Sequence, residues 1–202
     1  MKDYISINNQ KIDLTEEQVK KLMEACGVQH KQPADFKAGD TVKIGDFEMV
    51  VLEQHGTETS LILKNLYAEE SEFGENNNYD DSYVDKKCQE FAKALADIVG
   101  EDNLVLHEVD LTSDDGLKDY GTVERRASLI TADMYRKYVD ILDKFKLDRC
   151  WWLATPWSTK RHDNDTWAKC VAPSGRVSFD IYYNDIGVRP FCILKSNIFV
   201  SG

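Results

Sequence analysis

Three cysteines, one histidine and a short run of acids and amides are the residues of this chain that could carry covalent or metal chemistry. Cys150, Cys170 and Cys192 lie in or beside short apolar runs, and His162 precedes Cys170 by eight residues. A nucleophilic cysteine needs a base within hydrogen-bond reach and a third group that orients the base. Cys170 and His162 supply the first two kinds of group, but no recognisable signature surrounds either of them. A soft-metal site would require three strands to bring Cys150, Cys170 and Cys192 together, and their separations of 20 and 22 residues match no standard ligand spacing. With Cys26 and Cys88 the count is five, an odd number without paired spacing. In a reducing compartment such residues are buried free thiols. Asp163-Asn164-Asp165 offers the oxygen ligands that calcium takes. Three adjacent residues cannot all turn to one side of a strand, so this run reads as a polar turn. No catalytic residue, metal ligand or cofactor is expected.

A second set of residues has the composition of a recognition surface. Arg161, His162, Asn164, Trp167 and Lys169 lie within and just after one polar connection, and Tyr182, Tyr183 and Asn184 lie within the next. Tyr, Trp, Arg and Asn are the types that binding surfaces favour. These are the candidate ligand-binding residues. Alternation of strand faces places Trp167 and one of Tyr182 and Tyr183 in the core.

Three apolar stretches must position this surface. They are Trp151-Trp152-Leu153-Ala154-Thr155-Pro156, Trp167-Ala168-Lys169-Cys170-Val171 and Gly187-Val188-Arg189-Pro190-Phe191-Cys192-Ile193-Leu194. Each reads as a short buried strand punctuated by Pro or Gly. The polar connections run over residues 157–166 and 178–186. Apolar anchors with polar connections between them describe a rigid scaffold that displays loops.

This ending resembles a family of bacterial and phage proteins of unassigned function, which close with a WWLRSP-like strand, a V-x-x-x-G-like hairpin and a GVRPAF-like strand. The matching residues are Trp151 to Pro156, Val171 to Gly175, and Gly187 to Phe191. Upstream, Phe47 and Met49 stand where that family has aromatics in a strand, and Leu129-Ile130-Thr131 stands where a Leu-Leu-Thr-like turn enters its second helix. The resemblance spans about residues 39–194. It departs at Ala154, where the family often has Arg, so any role of that Arg does not carry over. The family is related to the C-type-lectin-like fold, seen also in formylglycine-generating enzymes and in the variable proteins of diversity-generating retroelements. The resemblance implies an α+β fold: a C-type-lectin-like domain over residues 39–202, whose C-terminal loops bind a ligand.

The rest of the chain fits one domain with a small appendage. At 202 residues, 42% hydrophobic and 10% aromatic, it can bury a real core. A net charge of −11 disfavours nucleic acid as the main partner, because phosphate binding needs a basic footprint. No apolar run is long enough for membrane insertion, and the first residues lack the apolar core of a signal peptide, so synthesis in a cytoplasm is expected. Residues 1–28 read as a β-hairpin and a helix. Tyr4-Ile5-Ser6-Ile7 and Lys11-Ile12-Asp13-Leu14 alternate, Thr15 and Gln18 form a capping box, and Val19, Leu22, Met23 and Cys26 share a helical face. That unit is too small to stand alone, and it is expected to attach to a virion or to an oligomer partner. Residues 69–81 read as an acidic surface loop. Ser82 caps a helix carrying Val84, Cys88, Phe91, Leu95 and Ile98, and a second helix starts at Ala132 and runs to Phe145.

These readings point to a non-enzymatic ligand-binding protein, phage- or prophage-encoded. It would be a virion-associated adhesin or receptor-binding protein that meets a protein or glycan ligand on the host. Two alternatives remain: an intracellular phage protein that binds a host factor, and an oxidase resembling formylglycine-generating enzymes, which would draw on Cys170 and Cys192.

Overall fold

The structure, a computed structural model, describes residues 4–7, 10–13, 15, 18 and 35–199. It forms two compact units, residues 1–34 with 199–202 and residues 35–198. In the first, β1 (Tyr4–Ile7) and β2 (Gln10–Asp13) pair antiparallel, with Tyr4 opposite Asp13 and Ile7 opposite Gln10. Thr15 and Gln18 then make the expected reciprocal cap. The Thr15 N–H donates to Gln18 Oε1 at 2.9 Å, and the Gln18 N–H donates to Thr15 Oγ1 at 3.3 Å. The helical face expected from Val19 to Cys26 lies outside the described residues.

The larger unit is a mixed helix-and-sheet fold, mostly β. It opens with β3 (Thr41–Ile44), β4 (Phe47–His55), β5 (Glu58–Leu63) and the short β6 (Ala68–Ser71). Helix α1 (Tyr83–Val99) follows, then β7 (Leu104–Val105), β8 (His107–Asp110), β9 (Thr122–Arg125) and β10 (Ala127–Ser128). Helices α2 (Ala132–Lys137) and α3 (Val139–Leu142) lead to the last strands: β11 (Trp151–Pro156), β12 (Trp167–Val171), β13 (Val177–Ile181), β14 (Ile186–Val188) and β15 (Phe191–Lys195). One sheet has the order β10-β15-β5-β4-β3, with β7 also on β15. The other has the order β13-β12-β11-β14-β6, and within it β11 and β14 run parallel.

Local chemistry accounts for the helix boundaries. The Ser82 hydroxyl accepts the Asp85 N–H at 3.1 Å and starts α1, and Gly100, at φ +86°, ends it. Val84, Cys88, Phe91 and Leu95 are buried along one face, whereas Ile98 is exposed. Thr131 caps α2 through the Met134 N–H. The single helix expected up to Phe145 instead breaks at Tyr138, whose backbone leaves the helical range at φ −109° and ψ 16°. The Tyr138 hydroxyl donates to Glu53 Oε2 at 2.5 Å and ties this break to β4.

Strand β11 is the centre of the larger unit. All six of its residues are buried, and alternate residues feed two different clusters. Trp151 and Leu153 join Val50, Leu52, Ile62, Tyr135 and Phe191. Trp152 and Ala154 join Phe73, Tyr79, Cys88, Cys170 and Val188. Trp151, Trp152, Val188 and Phe191 are thus core residues, as expected. Ala154, wholly buried, leaves no opening for the arginine common in the resembling family.

Two expectations need correction. Residues 69–81 are only in part the expected surface loop: their acids are exposed and residues 72–81 form neither helix nor strand, but Ala68–Ser71 pairs with β14, and Phe73, Asn77 and Tyr79 are fully buried. The two aromatic rings anchor the run to the core while its carboxylates stay in solvent. Phe73 packs edge-on against Trp152 at 5.3 Å, and the Trp152 indole N–H donates to the Ser71 carbonyl at 2.9 Å. The expected connection over residues 178–186 is strand as far as Ile181, because Val177–Ile181 alternates in register with β12. Beyond these, β9 pairs antiparallel with β8, with Val123 opposite Val109.

Replacing Trp152 with Ala should cost roughly 3–5 kcal/mol of stability, the usual range for deleting a buried indole. Denaturant unfolding measures it, and an unchanged midpoint would remove β11 from the core.

Candidate ligand-binding face

Two segments meet at one end of the second sheet: residues 111–121, between β8 and β9, and residues 157–166, between β11 and β12. Asn77, on the approach to α1, joins them. Its side-chain N–H groups donate to the carbonyls of Ser158 at 3.0 Å and Trp167 at 2.8 Å, and its Oδ1 accepts the Tyr120 hydroxyl at 2.8 Å. Its backbone N–H donates to the Asp165 carbonyl at 2.9 Å. The carboxamide is therefore fully used inside the protein.

Two carboxylates of the first segment, Asp115 and Asp119, hold side chains of the second, and a third, Asp114, holds side chains of β12 and α2. Asp114 accepts Lys169 Nζ at 3.0 Å and Arg136 Nη2 at 3.1 Å. Asp115 accepts the hydroxyls of Ser113 at 2.5 Å and Ser158 at 2.6 Å, and it lies 3.0 Å from His162 Nδ1. Asp119 accepts the Thr159 hydroxyl at 2.6 Å and pairs with Arg161. Burial opposes charge on Asp115, but the hydrogen bonds from Ser113, Ser158 and His162 outweigh it and hold the carboxyl well below the usual carboxylate range. Ser, His and Asp stand together here, yet both hydroxyls donate to the carboxylate instead of to the imidazole. That arrangement locks two loops together.

The candidate residues fall into several distinct environments. Arg161 and His162 lie in a short helical turn, Lys160–His162, capped by Thr159, and their side chains are exposed above Asp119 and Asp115. The following Asp163 takes left-handed backbone at φ +53°, and the Asn164 side chain accepts the Thr166 N–H at 3.4 Å, so residues 163–165 form a polar turn. Trp167 is half-buried, and its ring meets Phe179 at 5.5 Å. Phe179 also stacks on Trp157 at 4.4 Å, and it remains 45% exposed. Tyr182 is half-buried against the Trp152 cluster, with its ring against that of Tyr183, which is open to solvent. Asn184 is exposed and donates to Asp180 at 2.7 Å. It borders a separate open recess with Cys150, Asp180 and Gly187.

Lys169 does not belong on an exposed face. It is only 6% exposed, ion-paired to Asp114, with its ammonium 4.6 Å from the Trp157 ring centre. A lysine on a strand reads as solvent-facing. The carboxylate that draws it inward comes from a segment 55 residues away. The aromatic neighbours Trp157 and Phe179, and the acids Asp114, Asp115 and Asp119, were missing from the candidate set. Only the density of turn-forming acids in residues 110–116 pointed toward the latter.

Cys88 and Cys170 belong to one cluster, and Cys150 packs against it. Cys88, Cys150, Cys170 and Cys192 are free. Cys170 lies in the Trp152 cluster of the second sheet, whereas Cys192 lies on β15 of the first. Burial pushes both up to about 12. Comparison with protein-family models, curated proteins and solved structures finds no match.

Lys169→Met should destabilise the fold by about 1–3 kcal/mol, because it removes a partner from a partly buried charge. Tyr183→Ala should alter stability by about 0.5 kcal/mol or less. Urea unfolding of the two variants separates a structural residue from a surface one, and equal effects would contradict this division.

Proposed function

We propose that the chain is a non-enzymatic ligand-binding protein built on a C-type-lectin-like domain. On this reading it is phage- or prophage-encoded, and it serves as a virion-associated adhesin or receptor-binding protein that meets a protein or glycan on the host. The stretches that carry the family resemblance support the fold assignment by their adjacency. Trp151 of β11 pairs with Gly187 of β14, and β12 lies on the other side of β11.

The observation that carries the binding role is the aromatic group Trp157–Phe179–Trp167. Phe179 is 45% exposed, and a buried lysine and a five-stranded sheet fix the group from behind. Exposed Arg161 and His162 lie on the turn that follows Trp157. Large rigid rings beside a guanidinium offer contact area at little entropic cost. The ligand surface is therefore Arg161, His162, Trp167, Phe179 and Tyr183, and Lys169 supports it from below.

Capture from host envelope fractions and glycan arrays identifies the ligand, and titration of folded Phe179→Ala and Arg161→Ala variants then tests the face. Each should weaken binding by about 2 kcal/mol, roughly 30-fold, with little change in melting temperature. A partner that binds both variants as tightly as the parent would place recognition elsewhere.

A further inference from the structure

A sheet edge is a template for another strand unless it is blocked, and the two large sheets have four edges. Strand β3 carries exposed Lys43, and its start is bent where Gly39 and Asp40 both bond to Val51. Strand β6 carries Glu69 and Glu70, held by Arg149 at 3.0 Å each. Strand β10 is two residues long, and the Gln89 side chain occupies the Ala127 carbonyl at 2.9 Å. Strand β13 has none of these protections along its first half: no lysine, no proline and no bulge lies between Val177 and Phe179.

The ladder fixes which groups of β13 point outward. The Ala172 N–H donates to the Arg176 carbonyl at 2.9 Å, and the Tyr182 N–H donates to the Thr166 carbonyl at 3.0 Å. Residues 176, 178, 180 and 182 therefore turn their backbone groups toward β12, and Val177, Phe179 and Ile181 turn theirs away. Ile181 is already satisfied. Its N–H donates to Asp180 Oδ1 at 2.8 Å, and its carbonyl accepts the Asn184 N–H at 3.0 Å. Among the described residues, no hydrogen bond occupies the outward groups of Val177 and Phe179.

We infer that β13 is a self-association edge, where a second copy of this chain pairs antiparallel about a two-fold axis at Ser178. Placing Val177 opposite the partner's Phe179 forms four backbone hydrogen bonds and uses every free group. The register centred on Phe179 would instead require the occupied Ile181 N–H. The favoured register also sets Arg176 opposite the partner's Asp180, twice by symmetry. Among the described residues the exposed Arg176 guanidinium has no ion pair and Asp180 Oδ2 makes no hydrogen bond, so the charges complement each other. The partner's Val177 packs against one edge of the exposed Phe179 ring, so the proposed ligand surface becomes a composite of the two copies and Phe179 serves both. The pairing joins two five-stranded sheets into one and brings two aromatic groups side by side. It does not depend on residues 1–28.

Sedimentation of the full reduced chain should show a concentration-dependent dimer, and Phe179→Lys, its fold checked by circular dichroism, should return it to monomer. Ser178→Cys gives the register, because directly opposite, non-hydrogen-bonded residues lie about 4.5 Å apart at Cα, within the span of a disulfide. Mild oxidation should link Ser178→Cys into a covalent dimer and leave the parent unlinked. A monomer at all concentrations, a dimer indifferent to Phe179→Lys, or linkage through Phe179→Cys instead of Ser178→Cys would overturn the proposal.

Discussion

The wholly buried carboxamide of Asn77 is the contact on which the displayed surface depends. It bonds to Ser158, Trp167 and Tyr120, so it joins the approach to α1 to two segments remote in sequence. Removing it would leave the buried Ser158 carbonyl and the Tyr120 hydroxyl to find new partners, while the Trp167 carbonyl would keep the Trp157 N–H, and an unpaired buried polar group costs about 1–3 kcal/mol. The contacts of Asp115 with His162 and of Asp119 with Arg161 are more exposed and individually weaker. They act on loops that Asn77 has already brought together. On the proposed reading the consequence is pre-organisation: a ligand would meet Arg161, His162 and Phe179 on a surface whose ordering entropy was lost on folding, not on binding.

Arg189 plays the matching part at the junction of the two sheets. It is 1% exposed, donates to the Leu63 carbonyl at 2.7 Å and the Lys64 carbonyl at 3.0 Å, and lies over the Trp151 ring at 5.2 Å. Burial lowers its pKa to about 10, which leaves it charged at neutral pH. Carbonyl dipoles and a π face take the place of a counter-ion there. Pro190 continues the corner, because its carbonyl accepts the Leu63 N–H at 2.9 Å. The Gly187-Val188-Arg189-Pro190 stretch is thus the hinge by which the chain passes from the second sheet to the first.

Features written in local chemistry were legible in the sequence. The capping box at Thr15 and Gln18, the Ser82 and Thr131 caps and the apolar run of β11 need only neighbouring residues to be recognised. Features set by distant partners were not. The acidic composition of residues 69–81 concealed Phe73, Asn77 and Tyr79, whose burial depends on Trp152 and on loops some 80 residues later. Arg161 and His162 read as free basic residues because their acids lie 42 and 47 residues upstream. Lys169 was misplaced for the same reason. The aromatic group was half visible: Trp167 stood out, but the partnership with Trp157 and Phe179 required the β12–β13 register. Arg189 was legible as part of a motif, while its role at the sheet junction required the fold.

Native-state hydrogen exchange on Asn77→Ala, set beside the parent, bears most directly on the claim that one buried side chain rigidifies the displayed loops. Amides in residues 113–121 and 157–166 should exchange faster in the variant, while β4, β5 and β15 keep their protection. An unchanged pattern in those two segments, or a uniform loss of protection across both sheets, would contradict it.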